Sequence, residues 1–165
     1  MRTIVAVVVL AAGCSVDVGA GSIAPVAIDA PIDATASPPL SLPVDIEFLS
    51  ADDSKAIADQ YGGKLGAVTA IDLSVQALAV TDGSGAPVSG GVLILVIEGV
   101  TLDKVGERVR LPDAVKKKVL AAIAQRIALD VEGSAAIGWS LPSPPLMGAH
   151  VVLQPIFVVD GLKAL

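Results

Sequence analysis

The chain changes its hydrophobic rhythm several times, and each change predicts an element. From 44 onward Val44, Ile46 and Phe48 alternate with Asp45, Glu47 and Leu49, the period-two pattern of a short strand. Ser50 followed by Asp53 has capping-box spacing and predicts a short helix over about 51–61, closed by Gly62-Gly63. Over 67–80, Ile71, Leu73, Val75, Ala77 and Ala79 share one face of a strand. The 82–87 segment, Asp-Gly-Ser-Gly-Ala-Pro, reads as a turn. The apolar run 92–97 follows, so the two strands are expected to form an antiparallel hairpin. With both faces apolar, 92–97 is expected to be central and covered on both sides.

A second helix is predicted over about 112–128. Pro112 and Asp113 suit its first turn, and Val115, Val119, Ile123 and Ile127 form its apolar stripe. Period two then returns, with Leu129, Val131, Ala135, Ile137 and Trp139 set against Asp130, Glu132, Ser134, Ala136 and Ser140. A proline-rich break over 141–145 precedes a last strand over 151–160, which Pro155 demotes toward an edge or bulge. Strands on both sides of one main helix predict an α+β fold. The expected form is an antiparallel sheet or β-sandwich packed by that helix. The expected organisation is a leader over 1–13, a tether over 14–43 and one folded β-rich domain over 44–165.

Composition changes this picture in one direction. Hydrophobic residues make up 53% of the chain, which raises the question of membrane spans. A spanning helix needs about 20 predominantly apolar residues, and the longest runs, 4–13 and 92–97, are far shorter. The excess is therefore spread through core positions. A net charge of −6 argues against nucleic acid, whose phosphates require clustered Lys and Arg. Phe48, Tyr61, Trp139 and Phe157 are the only aromatics, too few for a base-stacking platform.

The N-terminus carries the strongest chemical signal. Arg2 precedes the apolar stretch 4–10, and Ala11-Ala12-Gly13-Cys14 follows. A basic residue, a short apolar segment and small residues make a secretory signal. The end of that segment resembles the lipobox of bacterial lipoproteins, with Leu10 one position upstream of the family's usual leucine. The resemblance covers the first 14 residues. It implies a diacylglyceryl group on the Cys14 thiol and cleavage between Gly13 and Cys14. Cys14 is the only cysteine, so no intramolecular disulfide competes for it. A buried N-terminal strand with a core cysteine and a non-lipidated signal are the alternatives.

Residues 15–43 contain Pro25, Pro31, Pro38, Pro39 and Pro43 among Gly, Ser and Ala. That composition reads as an extended tether, with edge-strand pairing of 23–32 as the alternative. Ser15 is not the aspartate that tends to retain enteric lipoproteins at the inner membrane. The implied location is therefore an outer membrane, facing the periplasm or the exterior, with the bilayer as partner through the lipid.

Other candidates are weighed against plain structural roles. His150 is the only histidine and reads as structural rather than as a base or metal ligand. Ser84 lies in a turn and lacks the nucleophile-elbow pattern. Asp52-Asp53 suit a helix N-terminus, and Asp130/Glu132 share a solvent face. Neither pair has a calcium-loop spacing. Lys116-Lys117-Lys118 read as a solvated helix face, and Gly90-Gly91 lack a following phosphate-loop lysine. No catalytic residue, metal site or cofactor is expected, and the chain is not expected to be an enzyme. The two functional expectations are a lipid-anchored binding or structural module and a carrier of lipid or apolar ligand, with its cavity between sheet and helix.

Overall fold

The computed structural model describes residues 15–18, 25–33 and 35–160. The fold is α+β, with two antiparallel sheets and two helices around one core. In chain order the elements are β1 (Ser15–Val18), β2 (Val26–Ile32), β3 (Leu40–Leu49), α1 (Ala51–Tyr61), β4 (Val68–Asp82), β5 (Val92–Ile97), β6 (Val100–Leu102), β7 (Arg108–Arg110), α2 (Asp113–Gln125), β8 (Leu129–Gly138) and β9 (Met147–Asp160). In the first sheet, β9 is flanked on one side by β1 and β2 and on the other by β4, which also pairs with β7. The second sheet runs β3-β8-β5-β6. No described helix is long and apolar enough to cross a membrane.

The core forms where the inner faces meet. Ile46 and Phe48 of β3, Ile71 and Leu73 of β4, Leu95 of β5 and Leu153 of β9 belong to one buried cluster. Val115, Val119 and Ile123 of α2 and Ile57 of α1 join it, so the helices cap one end of the two sheets. Both carry the chain between sheets at that end: α1 from β3 to β4, α2 from β7 to β8.

The α1 start is as the spacing predicts. Ser50 Oγ accepts from the Asp53 amide at 3.0 Å and donates to Asp53 Oδ2 at 2.7 Å. Replacing Ser50 by alanine is expected to lose about 1 kcal/mol of stability. Urea denaturation checks this, and a change near zero would show that the cap contributes nothing. The helix end differs from expectation. Gly62 has φ −51° and leads into a 3₁₀ turn over Gly62–Ala67, so no left-handed glycine stops it. The α2 helix stops earlier than 128. Arg126 turns left-handed at φ 59°, and the Arg126 and Ile127 amides return to the Ile123 and Ala122 carbonyls. That closure leaves Ile127 48% exposed instead of extending the stripe.

The expected hairpin of β4 with β5 does not exist, because the two strands lie in different sheets. The turn after Asp82 makes only a local reversal, in which the Val88 amide donates back to the Val80 carbonyl at 2.9 Å. The chain then tucks beneath Val80 and crosses to the second sheet. A Cβ on Gly91 would lie 2.9 Å from the Val88 carbonyl oxygen and 3.2 Å from Val80 Cβ, so the crossing needs glycine there. Strand β5 is interior in its sheet, but only one face is fully buried. Val92 is 53% exposed, and Ile94 and Val96 are half-buried. In β4 the register shifts between Val75 and Ala77. This bulge moves the inward phase from Ile71, Leu73 and Val75 to Leu78 and Val80.

Where 14–43 is described, the expected tether includes three stretches of strand. Val26–Ile32 pairs along β9 from Leu153 to Met147, Ser15–Val18 pairs along its far end from Asp160 to Phe157, and β3 begins at Leu40. The folded unit therefore begins well before residue 44. The alternation that carries β2 is short: Val26 and Ile28 pack against the core, and Ile32 is buried.

The prolines do not prevent pairing, because of where their nitrogens point. Antiparallel residues alternate in the side to which they direct N–H and C=O. The Leu111 amide donates to Ile71 O and the Val75 amide to Glu107 O, so Ile71, Leu73 and Val75 face β7. Pro155, opposite Leu73, therefore directs its nitrogen away from β4. There it falls in the interval between the β2 pairing, which ends at Leu153, and the β1 pairing, which starts at Phe157. Gln154 Nε2 donates to the Pro155 carbonyl at 3.2 Å. Strand β9 is thus interior, and Pro155 pairs in regular register with Leu73, where an edge or bulge was expected.

Candidate binding groove

The same alternation defines the free edges. Along β9, Leu153, Val151, Ala149 and Met147 face β2, so their partners Val26, Ile28, Ala30 and Ile32 make the ladder. Ala27, Asp29 and Pro31 face outward. In the second sheet the Glu98 amide donates to the Glu132 carbonyl, which directs Glu132 toward β5 and Val131, Gly133 and Ala135 toward β3. Their partners Ile46, Val44 and Leu42 therefore bond to β8, and Ser41, Pro43, Asp45 and Glu47 face outward. Pro31 and Pro43 each lack a donor only on an open edge.

These two edges border a cavity of about 420 Å³. Its lining is Pro25 to Asp29 on one side and Asp45 to Phe48 on the other, with Ser50 and Asp53 at the α1 end. The half-buried Val26 and Ile28 supply its apolar surface, and Ile46 and Phe48 lie behind it in the core. Asp29, Asp45, Glu47 and Asp53 supply carboxylates, and no Lys or Arg among the described residues lines it.

Charge accumulates on the adjacent face of β3 and β8. Asp45 stands opposite Glu132, and Glu47 opposite Asp130. All four are exposed, and none makes an ion pair among the described residues. Like charges directly opposite each other are mildly destabilising. The sequence placed Asp130 and Glu132 on a solvent face, and the register adds Asp45 and Glu47 to them.

The remaining candidates fall into structural roles. His150 lies on β9 opposite Asp29, with its Nδ1 2.6 Å from Asp29 Oδ1. Ser84 donates through Oγ and its amide to Asp82 Oδ1 at 2.6 and 2.8 Å. Those bonds, with one from the Ala86 amide, hold the Asp82 carboxyl below the usual carboxylate range. Asp53 serves the α1 cap, and Asp52 is exposed. Lys116 bonds Thr69 O and Asp113, Lys118 bonds Glu98, and Lys117 is exposed. Gly13 and Cys14 lie outside the described residues. No group of three or more His, Cys, Asp or Glu among the described residues could hold a metal ion.

One buried charge carries no sequence signal of its own. Asp72 on β4 receives Arg108 Nε at 2.8 Å and Arg110 Nε at 3.0 Å. Its side chain is 7% exposed against 38% and 66% for the arginines. The contact clasps β7 to β4, and the hydrogen bond from Arg110 to Asp72 raises that guanidinium's pKa further. Comparison with protein families, curated proteins and solved structures returned no match.

Proposed function

We propose that this chain is a lipid-anchored binding or structural module of a bacterial cell envelope, held at an outer membrane through Cys14. The observation that carries this reading is the lipobox-like Ala11-Ala12-Gly13-Cys14 behind a short apolar segment. A diacylglyceryl cysteine supplies two acyl chains at about 0.8 kcal/mol per buried CH₂, enough for a stable anchor without a spanning helix. Ser15, the next residue, pairs with Asp160 at the helix-capped end of the first sheet. An anchor at Cys14 would hold that end toward the bilayer on a short leash. The carboxylates lining the described cavity favour a binding module over a carrier of apolar ligand.

Mass spectrometry of the membrane fraction tests the anchor. The N-terminal peptide of the wild type is expected to begin at Cys14 with a diacylglyceryl mass increment. Cys14→Ala is expected to leave the chain uncleaved at Gly13 and without lipid. A wild-type N-terminal peptide lacking lipid would overturn the proposal.

A further inference from the structure

We propose that the seam between β2 and β3 binds an extended segment of a partner protein in which apolar and basic residues alternate, paired as an added strand. The inference deepens the binding-module reading and does not depend on the lipid. Four features converge on it.

The first is the edges themselves. Long free edges are hazards that proteins usually shorten or cover. The edges at β6 and β7 are short, three residues each. Those at β2 and β3 are seven and ten residues long, and both border the same cavity. The second is backbone with no strand partner among the described residues. Ala27 and Asp29 on one side, and Asp45 and Glu47 on the other, direct their N–H and C=O groups outward, and all four line the cavity.

The third is spacing. Both edges line one cavity of about 420 Å³, and strands pair at about 4.8 Å, so a strand entering it lies within pairing reach of an edge. Pro31 and Pro43 remove outward donors nearer the 33–39 connection and confine full pairing to the open part. The fourth is the alternation demanded of the guest. Its inward side chains would meet the half-buried Val26 and Ile28. Its outward ones would meet Asp29, Asp45 and Glu47, with Asp130 and Glu132 beyond. Apolar inward and cationic outward is the complementary pattern.

The test uses the full-length protein and a capped synthetic peptide of about seven residues in which valine alternates with lysine. Amide hydrogen exchange is followed by NMR, with a valine–glutamate peptide as control. The lysine peptide is expected to slow the Ala27, Asp29, Asp45 and Glu47 amides about tenfold or more, and the glutamate peptide to leave them unchanged. Asp45→Lys combined with Glu47→Lys is expected to weaken lysine-peptide binding about tenfold or more, with the fold checked by circular dichroism. If that variant fails to fold, the two peptides on the wild type decide alone. Exchange at those amides unaffected by the lysine peptide, or equally slowed by both, would sink the proposal. Absence of lipid on Cys14 would remove the anchor and leave this result standing. Failure of protection would remove the peptide site and leave the anchor standing.

Discussion

Replacing Phe48 by alanine is expected to lower the unfolding free energy by about 3–5 kcal/mol, the range for removing a buried aromatic ring. Phe48 is 2% exposed and belongs to the main core cluster. It sits where the β3–β8 register shifts between Glu47 and Leu49. Its backbone position is therefore set by the bulge, and neighbouring strands cannot simply close over the vacated volume. For a chain of this size each kcal/mol shifts the melting temperature by about 2–4 °C, so a drop of roughly 10 °C is expected. In urea the midpoint should fall with little change in slope. Phe48→Leu keeps most of the volume and should lose clearly less. A loss below about 1 kcal/mol for the alanine variant would mean that the ring is not packed between the sheets.

Phe48 also shows which parts of this fold were legible in the sequence. Its own strand was visible from Val44, Ile46 and Phe48, because one inward face gives period two. Helix α1 was visible because Ser50 and Asp53 form a local cap, and α2 because its stripe needs no distant partner to be seen. The α+β class follows from those local signals. What failed was non-local. The hairpin of β4 and β5 was a reasonable reading of two apolar strands around a turn. The decision to cross sheets lies in the backbone path at Gly91. Between the extended tether and its alternative, an edge strand over 23–32, the sequence does not decide, because prolines that break a ladder elsewhere are tolerated at these places. Pro31 and Pro43 sit with their nitrogens on open edges, where the ladder asks for no donor.

The groove was hidden for the same reason. In the sequence, Asp45 and Glu47 read as the polar half of one strand and Asp130 and Glu132 as that of another. Only the β3–β8 register brings them face to face. His150 and Asp29 are 121 residues apart in sequence, and no spacing rule could join them. The anchor signal at Cys14 is wholly local, which is why it could be read without a fold.

Glycine on β8 offers the sharpest check on the second sheet, because two positions of one strand should respond in opposite ways. Gly133→Ala is expected to cost about 2–3 kcal/mol, the upper part of the range for overpacking. A Cβ at Gly133 would lie 2.6 Å from the Val96 carbonyl oxygen, 3.6 Å from its carbon and 3.7 Å from Ile97 Cα. Those are backbone atoms of β5, which cannot rotate aside as a side chain would. Strand β8 is also held by β3 on its other side, with Val44 opposite Gly133, so neither neighbour can yield without breaking a ladder. Gly138→Ala is the internal control. Its Cβ would meet only Val92 Cβ at 4.0 Å, an ordinary contact. There the alanine reduces the freedom of the unfolded chain and is expected to be neutral or to stabilise by up to about 1 kcal/mol. Thermal or urea unfolding of the two variants side by side measures the difference. Equal effects at both positions would show that β5 and β8 do not approach as closely at Val96 as this register requires. A large loss at Gly133 beside none at Gly138 would show that β8 meets the β5 backbone more closely at Gly133 than at Gly138.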